Sequence, residues 1–321
     1  MKNALSKKSD DGGFSMETRI GEMVFRNPVT VASGTFGTKG EYADFVDYAK
    51  LGAIITKTIT VRPRPGNPMP RICEVPGGML NAIGLQNAGL EDFITQKIPV
   101  FAAIATPLIV NIAGEELEEF SALASRLDRE KKTVKALEVN LSCPNVEAGG
   151  VRSMKKREKI LAIIRAVRQA TGLPFFAKIS PELGDVLEVG EAVLAAGANG
   201  LSVMNTLKGL AIDTRSRRPR LANVTGGLSG PAIKPVALRY VYEVKRELKA
   251  PVIASGGIST AQDAIEFLIA GADLIAVGSA NFIEPSATME ILAGIEKYCR
   301  EQGIRDLAEL RGSLLTGKTT S

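Results

Sequence analysis

Apolar, β-branched runs recur along this chain, each closed by a polar or glycine-rich turn and most followed by a stretch of helical periodicity. The runs drawn as strands are 29–35 (VTVASGT), 53–58 (AIITKT), 107–114 (PLIVNIAG), 136–143 (ALEVNLSC), 174–180 (PFFAKIS), 200–206 (GLSVMNT), 251–257 (PVIASGG) and 274–280 (LIAVGSA). Helical spacing of apolar positions fills most gaps, as in 157–171, 185–198 and 260–272. In the last of these, Thr260 reads as the N-cap and Gly271 as the C-terminal stop. Near-continuous apolar strands separated by helices imply a parallel sheet covered on its outer face. About eight such units predict an α/β fold of the (β/α)8 TIM-barrel type rather than an open sheet.

Three segments stand outside that rhythm. Residues 16–28 (METRIGEMVFRNP) predict an N-terminal β-hairpin ahead of the barrel. Residues 61–89, after strand 2, are too rich in Pro and Gly for a helix and read as a long loop at the C-terminal face. Long loops in compact domains are usually functional. Residues 1–15 lack the apolar centre of a signal peptide and read as a disordered, polar leader, leaving 16–321 as a single barrel domain. No apolar run reaches the roughly 18 residues of a transmembrane helix, so no membrane association is expected.

Composition narrows the chemistry. The chain has no histidine, so proton transfer near neutral pH falls to carboxylate, lysine, tyrosine or thiol. Its cysteines, Cys73, Cys143 and Cys299, are widely spaced, with neither a disulfide framework nor metal-ligand spacing. A reduced, cytoplasmic protein is the expectation, and three thiols are too few for an iron–sulfur cluster on this chain. The net charge of +5 comes partly from basic clusters at 154–159 and 215–220. These lie in different segments without interleaved aromatics, which fits a solvated or anion-attracting rim better than a nucleic-acid surface.

A parallel barrel delivers every strand end to one mouth. The ends here carry Ser33, Lys57, Asn111, Asn140, Cys143, Lys178, Asn205, Thr206, Gly256, Gly257, Gly278 and Ser279. Glycines after the last two strands make tight turns, and in barrels such loops also bind phosphate through backbone N–H groups. Segment 225–235 (TGGLSGPAIKP) could close over the same anion. Lys57 and Lys178 each need a partner if buried, either a structural carboxylate or a ligand anion. Reduced flavin, which gathers negative charge near N1, would suit Lys178. Asn81, Asn140 and Asn205 either satisfy loop backbone or converge on a planar ligand with donors and acceptors. Cys143 could be an inert buried thiol; at a strand end, in a chain without histidine, it is also the best-placed proton acceptor.

Segments 138–146 (EVNLSCPNV), 66–71 (GNPMPR), 77–89 (GGMLNAIGLQNAG), 203–209 (VMNTLKG), 221–239 (LANVTGGLSGPAIKPVALR) and 276–282 (AVGSANF) resemble the catalytic subunit of dihydroorotate dehydrogenase, class 1B, the NAD-linked type. The resemblance runs from about residue 16 to near residue 310. It implies a TIM barrel holding FMN and oxidising dihydroorotate to orotate in pyrimidine synthesis. It implies Cys143 as the base at C5, supported by Ser142 and Asn145, with the loop 144–155 as a lid. It assigns Lys57, Asn81, Ala82, Ile83, Gly84, Leu85, Asn140, Asn205 and Thr206 to the substrate. To FMN it assigns Ser33, Lys57, Thr58, Asn111, Asn140, Lys178, Met204, Gly230, Gly256, Gly257, Gly278 and Ser279. Met204 stands where the family often has isoleucine or valine, and the leader is longer than the family pattern.

The resemblance also implies a homodimer of catalytic subunits joined by two electron-transfer subunits carrying FAD and a [2Fe–2S] cluster, a heterotetramer that reduces NAD+. This chain shows no dinucleotide fingerprint of its own. Two rival readings remain. One is a class 1A-like enzyme that uses fumarate without a partner. The other is a phosphate- or nucleotide-binding barrel without redox chemistry.

Overall fold

The structure is a computed structural model that describes residues 14–37, 40–141 and 151–317, with backbone alone for 151–156. Of the expected leader, residues 1–13 lie outside the described residues. Ser15 does not fit a disordered leader: its N–H donates to the Arg305 carbonyl at 2.8 Å and its carbonyl accepts from Leu307 N–H at 3.0 Å.

The hairpin pairs Thr18–Ile20 with Met23–Phe25 around a turn at Gly21, whose φ of 57° suits a residue without Cβ. The parallel strands follow: β1 (Val29–Val31), β2 (Ile54–Ile55), β3 (Leu108–Ile112), β4 (Val134–Asn140), β5 (Phe175–Ile179), β6 (Gly200–Val203), β7 (Val252–Ala254) and β8 (Leu274–Val277). They neighbour one another in the order β1-β8-β7-β6-β5-β4-β3-β2. Between β1 and β2 the ring is bridged by Gly52 N–H donating to the Val29 carbonyl at 2.8 Å. Each strand therefore lies beside its predecessor in sequence, as in a (β/α)8 barrel.

The period-2 alternation of each strand divides its side chains between two apolar layers. Along β3, Leu108, Val110 and Ile112 pack outward with the helices. Ile109 instead joins Ala53, Ile55, Ala136, Phe176, Ile253, Leu274 and Ala276 inside the barrel. Ile20 and Phe25 of the hairpin belong to this inner cluster, so the hairpin seals the N-terminal end. The outer helices include Val151–Ala170, Val186–Ala195 and Ala261–Ala270. Thr260 caps the last of these, its hydroxyl accepting from Asp263 N–H at 3.2 Å, and Gly271 ends it at φ 114°.

The long segment after β2 is more ordered than a loop. It carries a hairpin of Ile72–Val75 and Gly78–Asn81, which joins Leu207–Leu210 and Thr225–Ser229 in a four-stranded antiparallel sheet. Register pairs such as Asn81 with Gly227 tie the segment after β2 to the segment after β6. This sheet brings Asn81 and the following turn to the C-terminal mouth.

Candidate active site

Above the apolar inner layer, the same alternation places polar side chains inside the barrel. Asn111 of β3, Glu138 of β4, Lys178 of β5 and Ser202 of β6 are all buried. Glu138 Oε1 accepts from Asn111 Nδ2 and from Lys178 Nζ, the latter at 3.4 Å. Its Oε2 accepts from Ser202 Oγ at 2.6 Å. Lys178 thus has the structural carboxylate that one reading of the sequence required, and it also lines the cavity above.

That cavity, of about 380 Å³, opens at the C-terminal mouth. Strand ends supply Ser33, Lys57, Thr58, Asn140, Lys178, Met204, Asn205 and Thr206. Asn81, Ile83, Gly84 and Leu85 enter from the mouth-side sheet and its turn, and Gly230, Gly256, Gly257, Gly278 and Ser279 also line the cavity. Two residues expected here lie elsewhere. Ala82 packs beside Cys73, Leu80 and Leu221, while its carbonyl accepts from Asn67 Nδ2 at 2.9 Å. Asn111 lies in the polar layer, fully buried. Ser142, Cys143, Asn145 and the loop 144–150 lie outside the described residues, as do the side chains of 151–155.

Hydrogen bonds hold the wall in register. Asn205 Nδ2 donates to Asn140 Oδ1 at 3.3 Å, and Thr206 N–H donates to Asn205 Oδ1 at 2.9 Å. Ser33 and Thr58 hydroxyls meet at 3.3 Å, and Asn81 Nδ2 donates to the Gly227 carbonyl at 3.3 Å. At Gly257, φ is 76° and a Cβ would stand 2.9 Å from the Gly230 carbonyl oxygen. Glycine at both positions lets the two loops touch without side chains filling the wall.

Charge gives the cavity its character. Lys57, Arg71 and Lys178 line it, and no lining residue is acidic among those described. Burial pushes the Lys57 ammonium below the ordinary lysine range, and the Arg71 guanidinium pushes it further the same way. Such a wall favours anions. Inside the barrel, the buried Asn111 Oδ1 finds no donor among the described residues. A ligand with phosphate, an imide ring and carboxylate matches this donor set.

The sequence reading did not single out Arg71, Ser202 or Glu138. Glu138 had a readable signal: a carboxylate inside the apolar strand ALEVN, two residues before Asn140 and so on the same face.

A family model described as dihydroorotate dehydrogenase matches residues 15–299. The chain belongs to the dihydroorotate dehydrogenase family. It is 51% identical over 301 residues to a protein of Geotalea uraniireducens named dihydroorotate dehydrogenase B (NAD(+)), catalytic subunit, covering 94% of this chain and 98% of that one. Proteins of Desulforamulus reducens and Geobacter sulfurreducens with the same name are each 49% identical over 299 residues, covering 93% of this chain and 98% of each relative. Within the dihydroorotate dehydrogenase fold, this cation-lined cavity occupies the face where barrel enzymes carry their chemistry. No helix among the described residues is long and apolar enough to cross a membrane.

Proposed function

We propose that this chain oxidises (S)-dihydroorotate to orotate, a step of pyrimidine biosynthesis, as a cytoplasmic FMN enzyme of the NAD-linked type. The observation that carries this reading is the barrel-mouth cavity lined by Lys57, Arg71 and Lys178, with no carboxylate among the described lining residues, in a chain of this family. FMN, when bound, supplies the acceptor for the hydride leaving C6 of the substrate.

The residues divide the remaining work by their chemistry. Gly256, Gly257, Gly278 and Ser279, together with Gly230, suit the phosphate, with Ser33, Thr58 and Met204 along the rest of the cofactor. Lys178 suits the side of the ring where negative charge develops. Asn81, Asn140, Asn205 and Thr206 offer amide and hydroxyl groups to the pyrimidine, and Ile83, Gly84 and Leu85 close the turn over it. Lys57 reaches both ligands, and its depressed basicity is relieved by an anion beside it. Asn111, whose Oδ1 has no donor among the described residues, would reach the cofactor only from the polar layer. Cys143, which lies outside the described residues, is the base this reading assigns to the proton at C5.

The electrons then pass to NAD+ through a partner subunit carrying FAD and [2Fe–2S], in a heterotetramer built on a homodimer of this chain. Phe282 lines the cavity and the adjacent Ile283 is 81% exposed, which supports a partner covering that lip. Exposed Met69, Leu210, Ile212 and Val224, on the mouth-side strands and turns, support a self-interface.

The test is the absorption spectrum of the purified chain, followed by anaerobic dihydroorotate and then reoxidation with NAD+ or fumarate, with and without co-purified protein. A yellow preparation bleached by dihydroorotate and reoxidised by NAD+ only with the partner is expected. A colourless protein that cannot be reconstituted with FMN would refute the reading. Reoxidation by fumarate alone would favour the class 1A-like alternative.

A further inference from the structure

Glu138 is 1% exposed and does not line the cavity, yet it is the carboxylate to which the buried Lys178 ammonium is paired. Its carboxylate is itself fixed from two sides: Asn111 Nδ2 reaches Oε1, and Ser202 Oγ donates to Oε2 at 2.6 Å. Three strands thus aim one acidic group at one lysine. Glu138 and Asn140 share the inward face of β4, but only Asn140 reaches the cavity, and Lys178 is the cavity-lining charge with which Glu138 is paired. The other charged groups facing the cavity are Lys57, after β2, and Arg71, before the mouth hairpin; both are cations that repel Lys178.

We infer that Glu138 is a positioning residue for flavin reduction: it anchors the Lys178 ammonium at the floor of the cavity, where that charge stabilises the reduced cofactor. This rests on the flavin reading of the cavity. Two opposing effects are possible when Glu138 is neutralised. As a bare negative charge near the ring, Glu138 would disfavour reduction, and its removal would make the flavin easier to reduce. As an anchor, its removal frees Lys178 to leave the floor, and the flavin becomes harder to reduce. The anchoring effect wins on geometry, because Lys178 lines the cavity, Glu138 does not, and the ammonium 3.4 Å from the carboxylate offsets its charge. A buried ammonium without its partner also has strong reason to move.

The test is the flavin midpoint potential, read against a reference dye, in the wild type and in Glu138→Gln, Lys178→Met and the double variant. Glu138→Gln should lower the potential, leaving about tenfold less reduced flavin at a fixed dihydroorotate/orotate ratio, the scale of one charge-assisted contact. Lys178→Met should lower it as well, and the double variant should be no lower than Lys178→Met. Should Glu138→Gln not fold, Ser202→Ala removes one anchor of the carboxylate and should shift the potential in the same direction, again only when Lys178 is present. A raised or unchanged potential in Glu138→Gln, or a shift that persists in the Lys178→Met background, overturns the inference. Wild-type protein that neither carries nor takes up FMN defeats the flavin reading instead.

Discussion

Asn205 Nδ2 donates to Asn140 Oδ1 at 3.3 Å, so the amide just past β6 and the one that ends β4 act as one unit across the end of β5. Thr206 N–H fixes the other side of Asn205, which orients the donor. Groups that act as a unit fail additivity. Replacing either by alanine should lower kcat/KM for dihydroorotate about tenfold or more, and the double variant should lose less than the product. The coupling should be about 0.5–3 kcal/mol, and a strictly multiplicative loss would count against the paired amides.

Cys143 has a different signature. Cys143→Ala should retain FMN and its visible spectrum while anaerobic flavin reduction by dihydroorotate slows by roughly 10²–10⁴-fold. Stopped-flow bleaching at wild-type speed would remove this thiol from the mechanism.

Lys57 links ligand binding to pH. Burial and Arg71 hold its ammonium below the ordinary lysine range in the ligand-free protein. An anion beside it favours the charged form and raises that value. Affinity for orotate is therefore full below the ligand-free value and falls as pH rises through it, by up to one proton. The same shift means that the ligand-free fold binds fewer protons than the unfolded chain between the lowered and the ordinary lysine value. Its stability should rise with pH across that window. Lys57→Met should abolish the dependence and weaken orotate binding near neutral pH by roughly 1.5–3 kcal/mol. Spectral titrations of bound flavin with orotate between neutral and alkaline pH measure both.

The barrel was legible because its signals are local. Alternation within strands, helical spacing between them, the Thr260 cap and the Gly271 stop each depend on neighbours a few residues away. The strands were drawn too long, 53–58 against Ile54–Ile55, because Thr56 N–H still bonds to the Ile109 carbonyl at 3.0 Å beyond the strand, while Lys57 and Thr58 already line the mouth cavity. The mouth-side sheet was not legible. Its ladder joins segments separated by more than a hundred residues, as Asn81 and Gly227 show, and its glycines read as turns. There they permit close approach instead: a Cβ at Gly226 would stand 2.7 Å from the Asn81 carbonyl oxygen. Within the site, most of the strand ends named in the sequence do line the cavity, Asn111 being an exception. Ala82 was taken up with its neighbours because a contiguous motif hides the alternation that turns Ala82 toward Leu80 and Leu221.

Phe25 tests the opposite end of the barrel. Its ring is fully buried, seated from the hairpin against the inner cluster that includes Ile55, Ile109 and Phe176. Conserving the polar layer and the mouth while removing this plug separates stability from chemistry, since the N-terminal face of a barrel serves the fold. Phe25→Ala leaves a cavity that packed strands cannot close and should cost about 3–5 kcal/mol. Denaturant unfolding should show that loss as a lower midpoint, while folded protein keeps its flavin spectrum and its KM for dihydroorotate. A stability change below about 1 kcal/mol would mean that the hairpin lies on the barrel without sealing it.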